Sequence, residues 1–153
     1  MKLITLYKTY IQNTSPKAVV EKRNILFCYL TFAVQRGIKI TDPKIYISTK
    51  IIKHLYDRKP AEEFDAIIKY LPKVVRFPDK IYENKKSKRG QIVFVKKVSN
   101  LLYLASIEKE AIIQMDGNSE KVNQLVTCFR IRRESYLRDY KLIWSWKGGE
   151  PSS

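Results

Sequence analysis

The chain has one histidine, His54, within the run Lys53-His54-Leu55-Tyr56-Asp57-Arg58-Lys59. On a helix, residues three and four apart share a face, so Asp57 and Arg58 can both stand beside the imidazole. A carboxylate next to an imidazole fixes its tautomer and stabilises the imidazolium. Neighbouring cations, here Lys53, Arg58 and Lys59, stabilise a pentavalent phosphorane. Metal-free cleavage of RNA needs these parts: a base for the ribose 2′-OH, an acid for the leaving 5′-oxygen, and positive charge for the phosphoryl oxygens. The same spacing also suits a surface histidine in a charged helix, with Asp57 pairing Lys53 or Arg58.

Other chemistries find fewer parts. One histidine, two distant cysteines and no Asp-x-Asp or His-x-x-x-His spacing supply few metal ligands, so no metal and no cofactor is expected. The phosphate-cradling pattern Gly-x-x-x-x-Gly-Lys is absent, and the five glycines are scattered. A serine or cysteine hydrolase would have to use His54, and the sequence has no nucleophile elbow.

Charge points the same way. Thirty Lys and Arg face fifteen Asp and Glu, a formal net charge of +15. The excess is clustered. One block holds Arg76, Lys80, Lys85, Lys86, Lys88, Arg89, Lys96 and Lys97 against Asp79 and Glu83. A second holds Arg130, Arg132, Arg133, Arg138, Lys141 and Lys147 against Glu134 and Asp139. Two basic blocks in 153 residues suit a polyphosphate partner, bound through counterion release. Tyr136 and Tyr140 lie among the arginines of the second block, and aromatics interleaved with cations stack unpaired bases. Trp144 and Trp146 alternate onto one face of a strand and are expected in the core. A membrane partner is not expected: no run of 18 apolar residues exists, and neither block has a helical apolar face opposite it. Cys28 and Cys128 each sit in an apolar run and read as buried free thiols. With no leader pattern at the start, that points to a reducing, cytoplasmic setting.

The elements that position these residues read as α+β. Residues 3–7 and 25–32 are β-branched and aromatic runs separated by Asn13-Thr14-Ser15-Pro16, so residues 1–44 read as a β-rich N-terminal extension. Gly37 interrupts before Ile38-Lys39-Ile40. Ser48 and Thr49 can cap a helix from Lys50 to Arg58, with Ile51, Ile52 and Leu55 inward. Pro60 suits the first turn of a second helix, where Glu62, Glu63 and Asp65 complement the positive end. Phe64, Ile67, Ile68 and Leu71 form its apolar stripe, and Pro72 is expected to end it. The remainder reads as strands over 91–95, 101–105, 111–114, 125–131 and 142–146, with a helical turn or two in 133–140. The expected architecture is N-terminal helices packed on a small, about four-stranded, twisted antiparallel sheet. Residues 45–149 would form the domain and 150–153 a frayed tail.

From about Ile45 to Gly149 the chain resembles the phage- and toxin-associated nucleases of the barnase–EndoU–colicin–RelE fold. The lines that carry the resemblance are 51–60 around His54, Leu71-Pro72-Lys73-Val74-Val75-Arg76-Phe77-Pro78-Asp79, and Val126-Thr127-Cys128-Phe129. It is also similar to the transfer-RNA-cleaving domain of colicin D. That domain has Lys-His on a helix, an Asp three residues on, and a hydroxyl–x–aromatic on a late strand. Carried over, those roles fall on Lys53, His54, Asp57, Thr127 and Phe129. Lys59 stands where the phage type often has a second histidine, and a lysine stabilises charge more readily than it accepts a proton. The resemblance implies a toxin-type, metal-independent endoribonuclease acting on structured RNA such as transfer RNA. Cleavage would pass through a 2′,3′-cyclic phosphate. The expected partners are RNA and an acidic antitoxin or immunity protein, and the toxin reading adds delivery into a target cell. Catalysis would rest on His54, Asp57, Lys53, Arg58, Lys59 and Thr127. Arg76, Lys85, Lys86, Lys88, Arg89, Phe129, Arg130, Arg132, Arg133, Tyr136 and Tyr140 would bind nucleic acid. The alternative is a non-catalytic RNA- or DNA-binding module on a degenerate nuclease fold.

Overall fold

The apolar stripe Phe64, Ile67, Ile68 and Leu71 is buried along one face of a long helix, and that helix organises the rest. A computed structural model describes residues 2–86 and 92–146, with every side chain in them except that of Glu134. Lys88, Arg89, Lys147 and the tail 150–153 lie outside the described residues. The elements run α1 (Leu3–Tyr10), β1 (Asn24–Tyr29), α2 (Phe32–Ile38), β2 (Lys44–Ser48), α3 (Thr49–Arg58) and α4 (Ala61–Arg76). Then follow β3 (Lys80–Glu83), β4 (Ile92–Val98), β5 (Leu101–Met115), β6 (Asn118–Ile131), a 3-10 turn (Glu134–Leu137) and β7 (Lys141–Ser145). The class is α+β.

Among the described residues the sheet has seven strands, not four, in the order β1-β2-β6-β5-β4-β3-β7. It is mixed: β2 lies parallel to β6, and the other pairings are antiparallel. The hairpins close at the expected turns. Ser99 and Asn100 both take positive φ between β4 and β5, as do Asp116 and Gly117 between β5 and β6. That conformation matches the twist of the flanking strands. Helix α4 packs on the sheet and shares a core with α1, α3, β1 and β2. The opposite face carries a smaller cluster of Val93, Val95, Leu104 and Ile131, covered by Leu137 and Tyr140.

Three further expectations are corrected. Residues 1–44 are not β-rich: residues 3–7 begin helix α1, which buries Leu3 and Leu6 one turn apart, and Gly37 lies inside α2. Among the described residues β1 is the one strand that lies wholly within this stretch, and it extends the sheet by pairing with β2. Second, Pro72 does not end α4. The helix runs on to Arg76 because Val74 and Val75 are buried, which outweighs the one backbone hydrogen bond a proline removes. Third, the two tryptophans differ: Trp144 packs on the core, whereas Trp146 is 43% exposed. Trp144 lies so close to Gly37 that any Cβ there would overlap its indole. The glycine inside α2 is therefore a packing requirement.

Candidate functional site

Helix α3 begins where β2 ends. The Ser48 hydroxyl accepts the Ile51 N–H at 3.2 Å, the cap the sequence predicts. This turn takes the chain away from the sheet, so β2 accompanies β6 only at Ile45–Asn123 and Tyr46–Gln124. Beyond Gln124 the α3–α4 junction stands beside β6 in place of a strand. That junction gathers the charged residues of interest.

On α3, Ile52 and Leu55 point into the core, while His54 and Arg58 share the exposed face at i and i+4. Lys53 and Asp57 both bond to the segment that crosses α3. The Lys53 ammonium is buried, with its side chain 7% exposed. It donates to Thr14 Oγ1 at 2.8 Å, to the Ser15 carbonyl at 2.7 Å and to Asp57 Oδ1 at 2.8 Å. Asp57 Oδ2 accepts the Lys17 N–H at 3.0 Å. The hydrogen bond from Lys53 holds the Asp57 carboxyl below its ordinary pKa, helped by the Lys17 N–H and the nearby Lys53 and His54 charges. An ammonium with three bonds has no donor left for phosphate. Lys53 and Asp57 tie the 14–17 segment to α3.

Lys59, at the C-terminus of α3, is placed differently. Its ammonium lies 3.7 Å from Glu63 Oε2 and 5.4 Å from the centre of the Phe129 ring. Glu63, in the first turn of α4, is buried, its side chain 4% exposed. Glu63 Oε1 accepts from Arg132 at 2.5 Å, and the Arg130 backbone N–H also donates to this carboxylate. Oε2 has no hydrogen-bond partner. Burial pushes the Glu63 pKa up, but the Arg132 hydrogen bond and the charges of Arg132 and Lys59 outweigh it, and the net shift is downward. The buried carboxylate therefore holds two cations, and Arg132 keeps 57% of its side chain in solvent. Glu63 was legible only as a helix-dipole residue, because Arg132 lies 69 residues further along the chain.

Aromatic rings continue from Lys59. Phe129 meets Tyr136 edge-on at 5.4 Å, and Tyr136 meets Tyr140 edge-on at 5.9 Å. Burial and a hydrogen bond with Tyr136 push the Tyr140 phenol up to about 12, so it stays protonated at neutral pH. Arg133 and Arg138 are exposed beside this run, and Arg130 is half-buried near Tyr103. Thr127 pairs with Ser106 in register and alternates with the buried Cys128, which puts it on the same sheet face as Phe129.

The remaining candidates lie elsewhere. Lys85 and Lys86 follow β3, which is separated from β6 by β4 and β5. Arg76 closes α4, and its Nε donates to the Tyr29 carbonyl at 3.2 Å. Both cysteine thiols are free, and burial pushes each up to about 12, which removes them as nucleophiles near neutral pH. Among the described residues, no three His, Cys, Asp or Glu side chains gather where they could hold a metal ion. No described helix is long and apolar enough to cross a membrane.

Comparison with known proteins gives one result. No curated protein and no solved structure matches the chain. A protein family described as phage-Barnase-EndoU-ColicinE5/D-RelE like nuclease3 matches residues 30–115. The match contains His54, Lys59 and Glu63 and stops before Phe129 and Arg132. It covers more than half of the 153 residues, and the chain belongs to this family of phage-associated nucleases.

Proposed function

We propose that this nuclease is a metal-independent endoribonuclease of toxin type, acting on a structured RNA such as transfer RNA. His54 carries a proton to or from the ribose–phosphate on the exposed face of α3. Arg58 on that face, with Lys59 and Arg132, balances the charge that grows on the phosphoryl oxygens. Phe129, Tyr136 and Tyr140 offer ring faces to bases splayed out of a loop, which suits RNA, whose single-stranded regions are read by stacking. The 2′-OH attacks the adjacent phosphorus, the 5′-oxygen leaves with a proton, and the upstream product ends in a 2′,3′-cyclic phosphate. The observation that carries this reading is the juxtaposition of Lys59, Glu63 and Arg132 with the aromatic run, at the end of the helix that bears the chain's one histidine.

One observation favours a second reading. Both Asp57 oxygens already accept hydrogen bonds, from Lys53 and from the Lys17 N–H, so this carboxylate is not reserved for His54. A non-catalytic module would keep the cations and rings and need nothing from the imidazole. His54→Ala separates the two. Binding to a non-cleavable oligonucleotide should persist, and turnover should fall by about 10²–10⁴-fold, the usual contribution of one acid–base group. A fall of less than about threefold would favour the module.

A further inference from the structure

A second aromatic and cationic surface lies at the other end of the sheet. A pocket of about 290 Å³ opens between the start of α2, the end of α4 and β7, and its lining includes Arg76, Phe77, Lys96, Trp144 and Trp146. Its rings are exposed where a core would hide them: Phe77 is 53% exposed and Trp146 43%. Phe32, at the start of α2, is 72% exposed. Both phenylalanines carry a cation on the ring face, with Arg76 5.1 Å from the Phe77 centroid and Arg36 5.4 Å from that of Phe32. Apolar rings exposed together in one patch mark interaction sites, and the guanidinium groups over them add positive charge to this one.

The walls are held in place. Trp144 is wedged against Gly37, and the Trp146 backbone N–H donates to the Asp79 carbonyl at 2.9 Å. Asp79, the one acid in the lining, is engaged: its Oδ2 accepts the Lys97 N–H at 2.8 Å, and Oδ1 lies 3.6 Å from Lys96. The pocket thus offers flat apolar faces with a net positive rim. We infer that it binds an unpaired nucleobase of a single-stranded segment, stacked on Phe77 and Trp146, with the adjoining phosphate drawn to Arg76. Rings alone would suit many apolar groups; the arginine-capped faces and the chain's +15 charge select a polyanion that carries flat bases.

This inference rests on the nuclease reading and adds a subsite remote from the cleavage residues. Glu63 and Arg76 stand at opposite ends of α4, thirteen residues or about 20 Å apart. Four strand spacings from β6 to β7 give about 19 Å. A strand of several nucleotides is needed to touch both, so the pocket favours substrates with an extended unpaired arm.

The chain's two tryptophans both line this pocket, so its intrinsic tryptophan fluorescence reports on the pocket alone. A fluorescently tagged, 2′-O-methylated single-stranded 12-mer binds without being cut, and its anisotropy reports binding independently. At saturation, tryptophan emission should be quenched, and a duplex of the same sequence should leave it unchanged. Phe77→Ala, at an exposed ring, should lower 12-mer affinity by about five- to 150-fold, the loss of one base–aromatic stack. Unchanged emission at saturating 12-mer, equal quenching by the duplex, or unchanged Phe77→Ala affinity would each overturn the assignment. Quenching by the 12-mer without cleavage of ordinary RNA would leave the pocket standing and contradict the endoribonuclease reading.

Discussion

Lys53 pairs with Asp57 along α3, and Lys59 pairs with Glu63 across the junction with α4. In sequence the two are alike, a lysine with a carboxylate four residues on. In the first pair the cation lies deepest, bonded to Thr14, Ser15 and Asp57 and closed to any ligand. In the second the carboxylate is the deeper partner, and the cations it holds, Lys59 and Arg132, reach toward solvent. Which charge is buried decides whether a pair holds the fold together or offers positive charge to a phosphate. Charge counting along a helix cannot make that distinction.

Lys53→Met should produce the largest effect, and it should be on stability. Removing the Lys53 ammonium leaves Thr14, the Ser15 carbonyl and Asp57 without their shared donor and unties the 14–17 segment from α3. Urea unfolding would show the loss, while the salt dependence of oligonucleotide binding should not change. A stable Lys53→Met protein with weakened RNA affinity would reverse the comparison. Next, Arg132→Ala should weaken binding to every sequence alike and reduce the slope of log K against log salt by about 1, as loss of one phosphate contact does. An unchanged slope would mean that Arg132 serves only Glu63.

The smallest effect concerns pH. Asp57 has a lowered pKa in the fold, so its contribution to stability is fully present above its unfolded pKa of about 4 and is lost as pH falls through the folded value. Asp57→Asn should lower stability at neutral pH and make the loss of stability below about pH 4 shallower, as followed by acid titration of circular dichroism. An unaltered acid limb would show that another carboxylate governs it.

Local pattern made much of this fold legible. The Ser48 cap, the stripe from Phe64 to Leu71 and the turn at Ser99–Asn100 depend on neighbours within a few residues, and the structure has all three. Helix α1 was misleading because Leu3-Ile4-Thr5-Leu6-Tyr7 has strand-like composition; burial of Leu3 and Leu6 against α3 and α4 overrides that preference. The short strands β2 and β3 were not legible as sheet members, although Ile45 and Ile47 alternate with half-buried Tyr46. Their partners lie elsewhere in the chain. Glu63 and the Trp146 pocket share this property, since each is assembled from residues far apart in sequence. His54 was readable as a candidate, whereas the further bonds of Lys53 and Asp57 depended on Lys17 and the 14–15 segment reaching over α3.

The most direct measurement is the chemistry of the cut ends. Purified protein would be incubated with a structured RNA such as transfer RNA in excess EDTA, and the new termini identified. The predicted result is cleavage in the chelator, with upstream fragments ending in a 2′,3′-cyclic phosphate and downstream fragments beginning with a 5′-hydroxyl. Cleavage that stops in EDTA and returns with Mg²⁺, or that leaves 3′-hydroxyl and 5′-phosphate ends, would contradict metal-free acid–base catalysis at His54.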